Sequence, residues 1–148
     1  MEPTCTIKPM AINDIAACAS IAAFAPDPWR AEDFTAEIEN SSRYPLVAVK
    51  SDGTIAGFAC FSLLGTEAEL HMMAVDPVSR KSGIGRLLLA FGIRQLARDG
   101  AAQILLEVRA SNTPALLLYQ SMGFAPLARR KKMYSCPQED GFIFCRKL

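Results

Sequence analysis

The strongest chemical signal lies mid-chain, where the sequence reads Val75-Asp76-Pro77-Val78-Ser79-Arg80-Lys81-Ser82-Gly83-Ile84-Gly85-Arg86-Leu87-Leu88. Its core is Arg80-x-x-Gly83-x-Gly85. Two glycines at this spacing let the backbone approach a ligand closely. The first amides of a following helix have no intrahelical partner, and the helix dipole adds positive potential there. Together these make an anion site suited to a pyrophosphate, and Arg80, Lys81 and Arg86 add full positive charge. The first glycine of G-x-G-x-x-G is missing, and so is Gly-Lys-Ser/Thr, so the dinucleotide fingerprint and the P-loop both fail. Taken alone, such a stretch reads more simply as a glycine-rich helix start flanked by solvated basic residues. Proton chemistry has its own candidates. Glu107 lies near the end of an apolar strand and Tyr119 on the next helix, so a carboxylate and a phenol from different elements can face one cleft. From spacing alone, Glu107 is equally a partner for Arg109 or for a basic residue on a neighbouring strand, and Tyr119 a core residue with a satisfied hydroxyl.

The elements that must position these groups follow from periodicity and turn residues. A short strand spans Thr4–Pro9, and Asn13-Asp14 can cap a helix from Ile15 to Phe24. Pro26-Asp27-Pro28 breaks it. A second helix spans Ala31–Asn40, with Phe34 and Ile38 on one face. Tyr44–Lys50 and Ile55–Leu64 are strands around the Asp52-Gly53 hairpin turn. Glu67–Val75 is the next strand, ending at the glycine loop. From Gly83 a helix with apolar residues at helical spacing runs to Asp99 and stops at Gly100. Ala101–Val108 is a buried strand, and Asn112–Met122 a short helix stopped by Gly123. Phe124–Tyr134 and Phe142–Leu148 form a closing hairpin. The order predicts an α/β (α+β) protein with a mixed, mostly antiparallel sheet of about seven strands flanked by helices, in one domain over residues 1–148.

Arg80-x-x-Gly83-x-Gly85 after Ala74-Val75-Asp76-Pro77 resembles the coenzyme A loop of the GCN5-related N-acetyltransferases (GNAT), and the resemblance covers nearly the whole chain. Pro28-Trp29 followed by Phe34, Leu106-Glu107-Val108-Arg109-Ala110-Ser111-Asn112, and Leu118-Tyr119-Gln120-Ser121-Met122-Gly123-Phe124 resemble the bacterial ribosomal-protein-alanine acetyltransferases of RimI type within that family. The resemblance implies an acetyl-CoA-dependent transfer to the N-terminal α-amine of a protein, an alanine of a small-subunit ribosomal protein. It implies Glu107 as proton acceptor and Tyr119 as proton donor. Met73, Ala74 and Val75 would present backbone groups to the pantetheine arm. Lys81, Ser82, Gly83, Ile84, Gly85 and Arg86 would hold the pyrophosphate, and Asn112 would contact the cofactor or cap its helix. Glu69 is a rival base on the preceding strand, sharing a face with Glu67 and His71 by alternation. His71 is set aside as an ordinary strand histidine. The segment from Met133 to Asp140 resembles the substrate-side loop of that group, with Met133-Tyr134 where it has a tyrosine pair.

Composition narrows the function classes. The 148 residues are 51% hydrophobic and 21% charged, with a net charge of +1, the pattern of a soluble globular chain. Such a balance argues against a dedicated nucleic-acid binder. No apolar run reaches the ~18 residues that span a bilayer, and Met1-Glu2-Pro3-Thr4 opens no secretory signal. Cys5, Cys18, Cys60, Cys136 and Cys145 form no C-x-x-C pair and there is one histidine, so neither a disulfide framework nor a metal site is expected. The five read as reduced, buried thiols in a cytoplasm. No cysteine lies in the motif segments, which favours direct attack in a ternary complex over an acetyl-cysteine intermediate. The exposed run Arg129-Arg130-Lys131-Lys132 reads as a solvated strand end. Two rival functions remain: transfer to a lysine or a small-molecule amine, and a non-catalytic acyl-CoA-binding module.

Overall fold

Asp52 sets the register of the first half of the sheet. Its carboxylate accepts the Thr54 amide (3.0 Å) and hydroxyl (2.7 Å), and Gly53 takes a φ of 90° that only glycine adopts freely. The computed structural model describes residues 5–148. The elements are β1 (Cys5–Pro9), α1 (Ile15–Ala22), α2 (Ala31–Glu39), β2 (Arg43–Lys50), β3 (Ile55–Leu64), β4 (Glu67–Val75), α3 (Ile84–Arg98), β5 (Gln103–Arg109), α4 (Thr113–Ser121), β6 (Ala125–Ser135) and β7 (Gln138–Lys147). One seven-stranded sheet runs β1-β2-β3-β4-β5-β7-β6. Only β4 and β5 pair in parallel, across the α3 crossover. The fold is the mixed, mostly antiparallel α/β sheet that the sequence predicts. Thr4 and the rest of Met1–Thr4 lie outside the described residues.

Each face of the sheet carries its own core. α3 buries Leu88, Leu89 and Leu96 against Phe61 and Ile104. The helix can lie close because Gly92 has no side chain: a Cβ there would stand 2.4 Å from the Phe61 ring. On the other face, α1 and α2 cover β2, β3 and β4, and Phe34 stacks edge-on against Phe58 at 5.0 Å. Glu69 and Glu107 are exposed to solvent, in keeping with a face left open beyond these helices. Among the described residues no helix is long and apolar enough to cross a membrane.

Several boundaries differ from the sequence reading for local reasons. Asp14 does not cap α1; it closes a 3-10 turn by accepting the Ala11 amide at 2.8 Å. α1 stops at Ala22 rather than Phe24, which is left 67% exposed before the prolines. The last hairpin is tighter than expected, because Gln138–Gly141 is strand and only Cys136-Pro137 turns. These residues are too polar to show an apolar alternation, yet they pair across the hairpin. Cys136 is exposed at that turn instead of buried, and Cys5 and Cys145 are half-buried, so only Cys18 and Cys60 fit the expectation.

Candidate active site

The site begins where two strands separate. β4 and β5 pair from Glu67/Gln103 to Leu70/Leu106 and no further. His71 is an extra residue in β4: Phe61 faces Leu70, and Cys60 already faces Met72. A bulge of this kind bends and re-phases its strand. Met72 and Ala74 therefore turn to the α1 and α2 core, while Met73 and Val75 pack towards α3. The alternation that joins Glu67, Glu69 and His71 ends at this point. From His71 to Val75 the β5-facing edge of β4 has no strand neighbour. Such an edge can pair with an extended amide-bearing chain.

Two openings flank the fork. One, of about 190 Å³, is lined by Met73, Glu107, Asn112 and Tyr119, with Tyr134 from β6 and Asp27 from the α1–α2 loop. The other, of about 370 Å³, is lined by Glu69, Leu105 and Ile143. Leu70, His71, Leu106 and Glu107 line both. Glu107 thus stands at the junction, and Glu69 belongs to the second opening alone. Neither lining includes a cysteine.

Tyr119 projects from α4 into the first opening, its ring 5.9 Å from Phe124. Burial, helped by neighbouring Tyr134, pushes its phenol up to about 12. At neutral pH it is a protonated donor. His71 places Nε2 2.7 Å from Ser62 Oγ and 3.8 Å from a Glu69 oxygen. Burial first, then Arg43, lowers its affinity for a proton, against the pull of Glu69.

The glycine loop has the backbone of an anion cradle. Lys81 and Gly83 take positive φ of 63° and 84°, and Gly83 caps α3 in the left-handed region. Ile84, Gly85 and Arg86 then supply the helix's first amides. Gly85 serves packing as well, since a Cβ there would lie 3.3 Å from Leu118. The loop's side chains hold the protein itself. Ser82 Oγ donates to the Ser79 carbonyl. Arg80 Nε donates to the Val75 carbonyl at 3.3 Å. Arg86 ties α3 to α4 through Ser121 Oγ (2.8 Å) and Met122 Sδ (3.1 Å). Lys81 is exposed. Asn112 caps α4, its side chain accepting the Ala115 amide at 3.3 Å, and lines the first opening at the same time. The backbone, with Lys81, is what fits a pyrophosphate here.

Arg109 is paired with other carboxylates than Glu107. Its guanidinium goes to Asp27 (2.9 Å) and Glu139 (3.2 Å). Arg109, Asp27 and Tyr134 at the opening escape the sequence reading, although Arg109 belongs to a quoted motif and Tyr134 to the substrate-side segment. The basic run is as expected, exposed along β6, with Arg129 paired to Asp140 at 3.0 Å.

A forked parallel strand pair, a left-handed glycine cap opening a helix, and a carboxylate and a phenol at one opening are groups that can pair with an extended chain, bind an anion and move a proton. Residues 11–124 match the Acetyltransferase (GNAT) family. The chain belongs to that family. It is 38% identical over 114 residues to [Ribosomal protein bS18]-alanine N-acetyltransferase of Escherichia coli (strain K12), covering 77% of this chain and 74% of the relative. It is 35% identical over 152 residues to N-alpha-acetyltransferase RimI of Mycobacterium tuberculosis (strain ATCC 25618 / H37Rv), covering 98% of this chain and 93% of the relative. The crystal structure of the ribosomal-protein-S18-alanine N-acetyltransferase from Escherichia coli superposes with a TM-score of 0.88 at 32% identity, over 97% of this chain and 93% of that one. The GNAT chain is an acyltransferase.

Proposed function

We propose that this GNAT chain moves the acetyl group of acetyl-CoA to the N-terminal α-amine of a protein, an alanine, and by likeness to its relatives that of a small-subunit ribosomal protein in the cytoplasm. Residues 1–148 act as one domain. The observation that carries the reading is the placement of Glu107 and Tyr119 at one opening of the β4–β5 fork. The amides from Gly83 to Arg86, beside Lys81, would hold the pyrophosphate. The free edge of Met73, Ala74 and Val75, with Asn112, would hold the pantetheine arm.

The chemistry then follows. An α-amine has a pKa near ~8, so part of it is already unprotonated at neutral pH, whereas lysine at ~10.4 is not. The amine nitrogen attacks the thioester carbonyl carbon. Glu107 accepts the proton that the nitrogen sheds, directly or through one water. The C–S bond breaks, and the Tyr119 phenol gives its proton to the leaving sulfur. Glu69 assists from the second opening.

Short peptides differing only at residue one, incubated with acetyl-CoA, test the reading. Ala-starting peptides acetylated at the α-amine support it. Turnover of free small amines with none of these peptides overturns the acceptor, and tight acetyl-CoA binding with no transfer to any amine overturns the catalysis.

A further inference from the structure

Arg109 is the best-connected side chain near the opening. It closes β5, directly after the Glu107 strand segment, and its side chain is 11% exposed. One terminal nitrogen donates to Asp27 Oδ2 (2.9 Å) and the Cys136 carbonyl (3.1 Å). The other donates to the Pro137 carbonyl (2.9 Å) and Glu139 Oε1 (3.2 Å). Its guanidinium carbon lies 4.3 Å from the centre of the Tyr134 ring. A planar fork with several donors can make all of these contacts at once, and a lysine ammonium cannot.

The partners come from two segments far apart in the chain. Asp27 belongs to the α1–α2 loop, whose base is pinned where Trp29 packs edge-on against Phe34 at 5.5 Å. Glu139, Pro137 and Cys136 belong to the β6–β7 hairpin. Glu139 is fixed in turn by the Ser111 hydroxyl (2.9 Å) and amide (3.1 Å). Tyr134 reaches Arg109 by folding over Gly141, where a Cβ would lie 2.7 Å from its ring. Asp27, Arg109 and Tyr134 all line the opening that holds Glu107.

We infer that Arg109 is a positioning residue for the acceptor: by clasping the α1–α2 loop to the β6–β7 hairpin, and Tyr134 between them, it fixes the groove that grips the acceptor's first residues. The inference rests on the proposed peptide acceptor. The glycine loop precedes α3, and its side chains bond to Val75, Ser79 and Ser121 rather than to this clasp, so acetyl-CoA binding is independent of it.

The test measures peptide KM, kcat and the acetyl-CoA Kd for Arg109→Lys, Asp27→Asn and Gly141→Ala. Asp27 is 66% exposed, so Asp27→Asn keeps the fold even if the other two do not. Asp27→Asn should raise peptide KM about 3-fold, the scale of one exposed ion pair. Arg109→Lys should raise it roughly 10-fold through loss of the several contacts that the planar fork makes at once. In both, kcat and acetyl-CoA Kd stay within about twofold, a split that general loosening of the fold would not give. Unchanged peptide KM in folded Asp27→Asn and Arg109→Lys overturns the clasp. So does a parallel loss of acetyl-CoA affinity. If the wild-type protein acetylates no peptide α-amine, the acceptor reading itself has failed, and that outcome is visible before any variant is made.

Discussion

Leu70 and Leu106 are the last residues of β4 and β5 to pair, and one position later His71 and Glu107 face a gap instead of each other's backbone. The proposed site is this gap. The bulge at His71 turns β4 away, and β7 continues alongside β5 down to Arg109. An acyl-transfer site needs an acceptor and a thioester to meet at one carbon, and a fork in an otherwise continuous sheet admits them from two openings that share Glu107.

Glu107 should carry more of the catalysis than Glu69, because it alone of the two lines both openings. At saturating acetyl-CoA, Glu107→Gln should lower kcat by about 100-fold or more, the scale of a lost general base. Glu69→Ala should cost less than about 10-fold on the same scale. A large loss in Glu69→Ala with a mild one in Glu107→Gln would exchange their roles.

Tyr119 should impose no basic limb on the rate. Its phenol is held up to about 12 by burial, so it remains a donor through the range in which the α-amine titrates near ~8. The rate should rise as the amine loses its proton and then level. Tyr119→Phe should keep that shape with kcat lowered by roughly 10- to 100-fold, as a proton donor is lost. A decline setting in near pH 9 in the wild type, absent in Tyr119→Phe, would contradict this.

Gly83→Ala should weaken acetyl-CoA binding with peptide KM little changed. At φ 84° an alanine is strained by about 1 kcal/mol, and relief of that strain moves the amides that cap α3. The acetyl-CoA Kd, measured by calorimetry, should rise about 5-fold or more. An unchanged Kd would remove the cradle role.

His71 should make the protein less stable in mild acid. Its folded pKa lies below 6.5, chiefly through burial and then Arg43, with Glu69 opposing. The folded state therefore takes up a proton less readily than the unfolded chain. The resulting stability is fully present above pH 6.5 and is lost as pH falls from there to the lower folded value. Melting temperatures from pH 7.5 to 5 should fall less steeply in His71→Gln than in the wild type. Equal slopes would show that His71 does not contribute.

The glycine loop is legible in the sequence because its signal is local, whereas Glu107 and Tyr119 are singled out only through the resemblance of the motifs around them. A polar, glycine-bearing break between an apolar strand and a helix can be read without knowing the fold. The clasp is not local. Arg109 meets Asp27 across 82 positions of chain and Glu139 across 30, and no spacing rule links them. The bulge leaves no compositional mark either, since one added residue in β4 changes phase without changing residue type. The placement of β7 between β5 and β6 is equally silent, because a hairpin reads the same whichever of its strands docks first.

The most direct measurement offers the enzyme one peptide that begins with alanine and carries an internal lysine, with acetyl-CoA, and locates the acetyl group by fragmentation mass spectrometry. A fork in which Glu107 takes a proton from an amine of pKa near ~8 predicts acetylation at the alanine nitrogen. Acetylation at the lysine instead, or of neither amine while acetyl-CoA binds, would contradict the account.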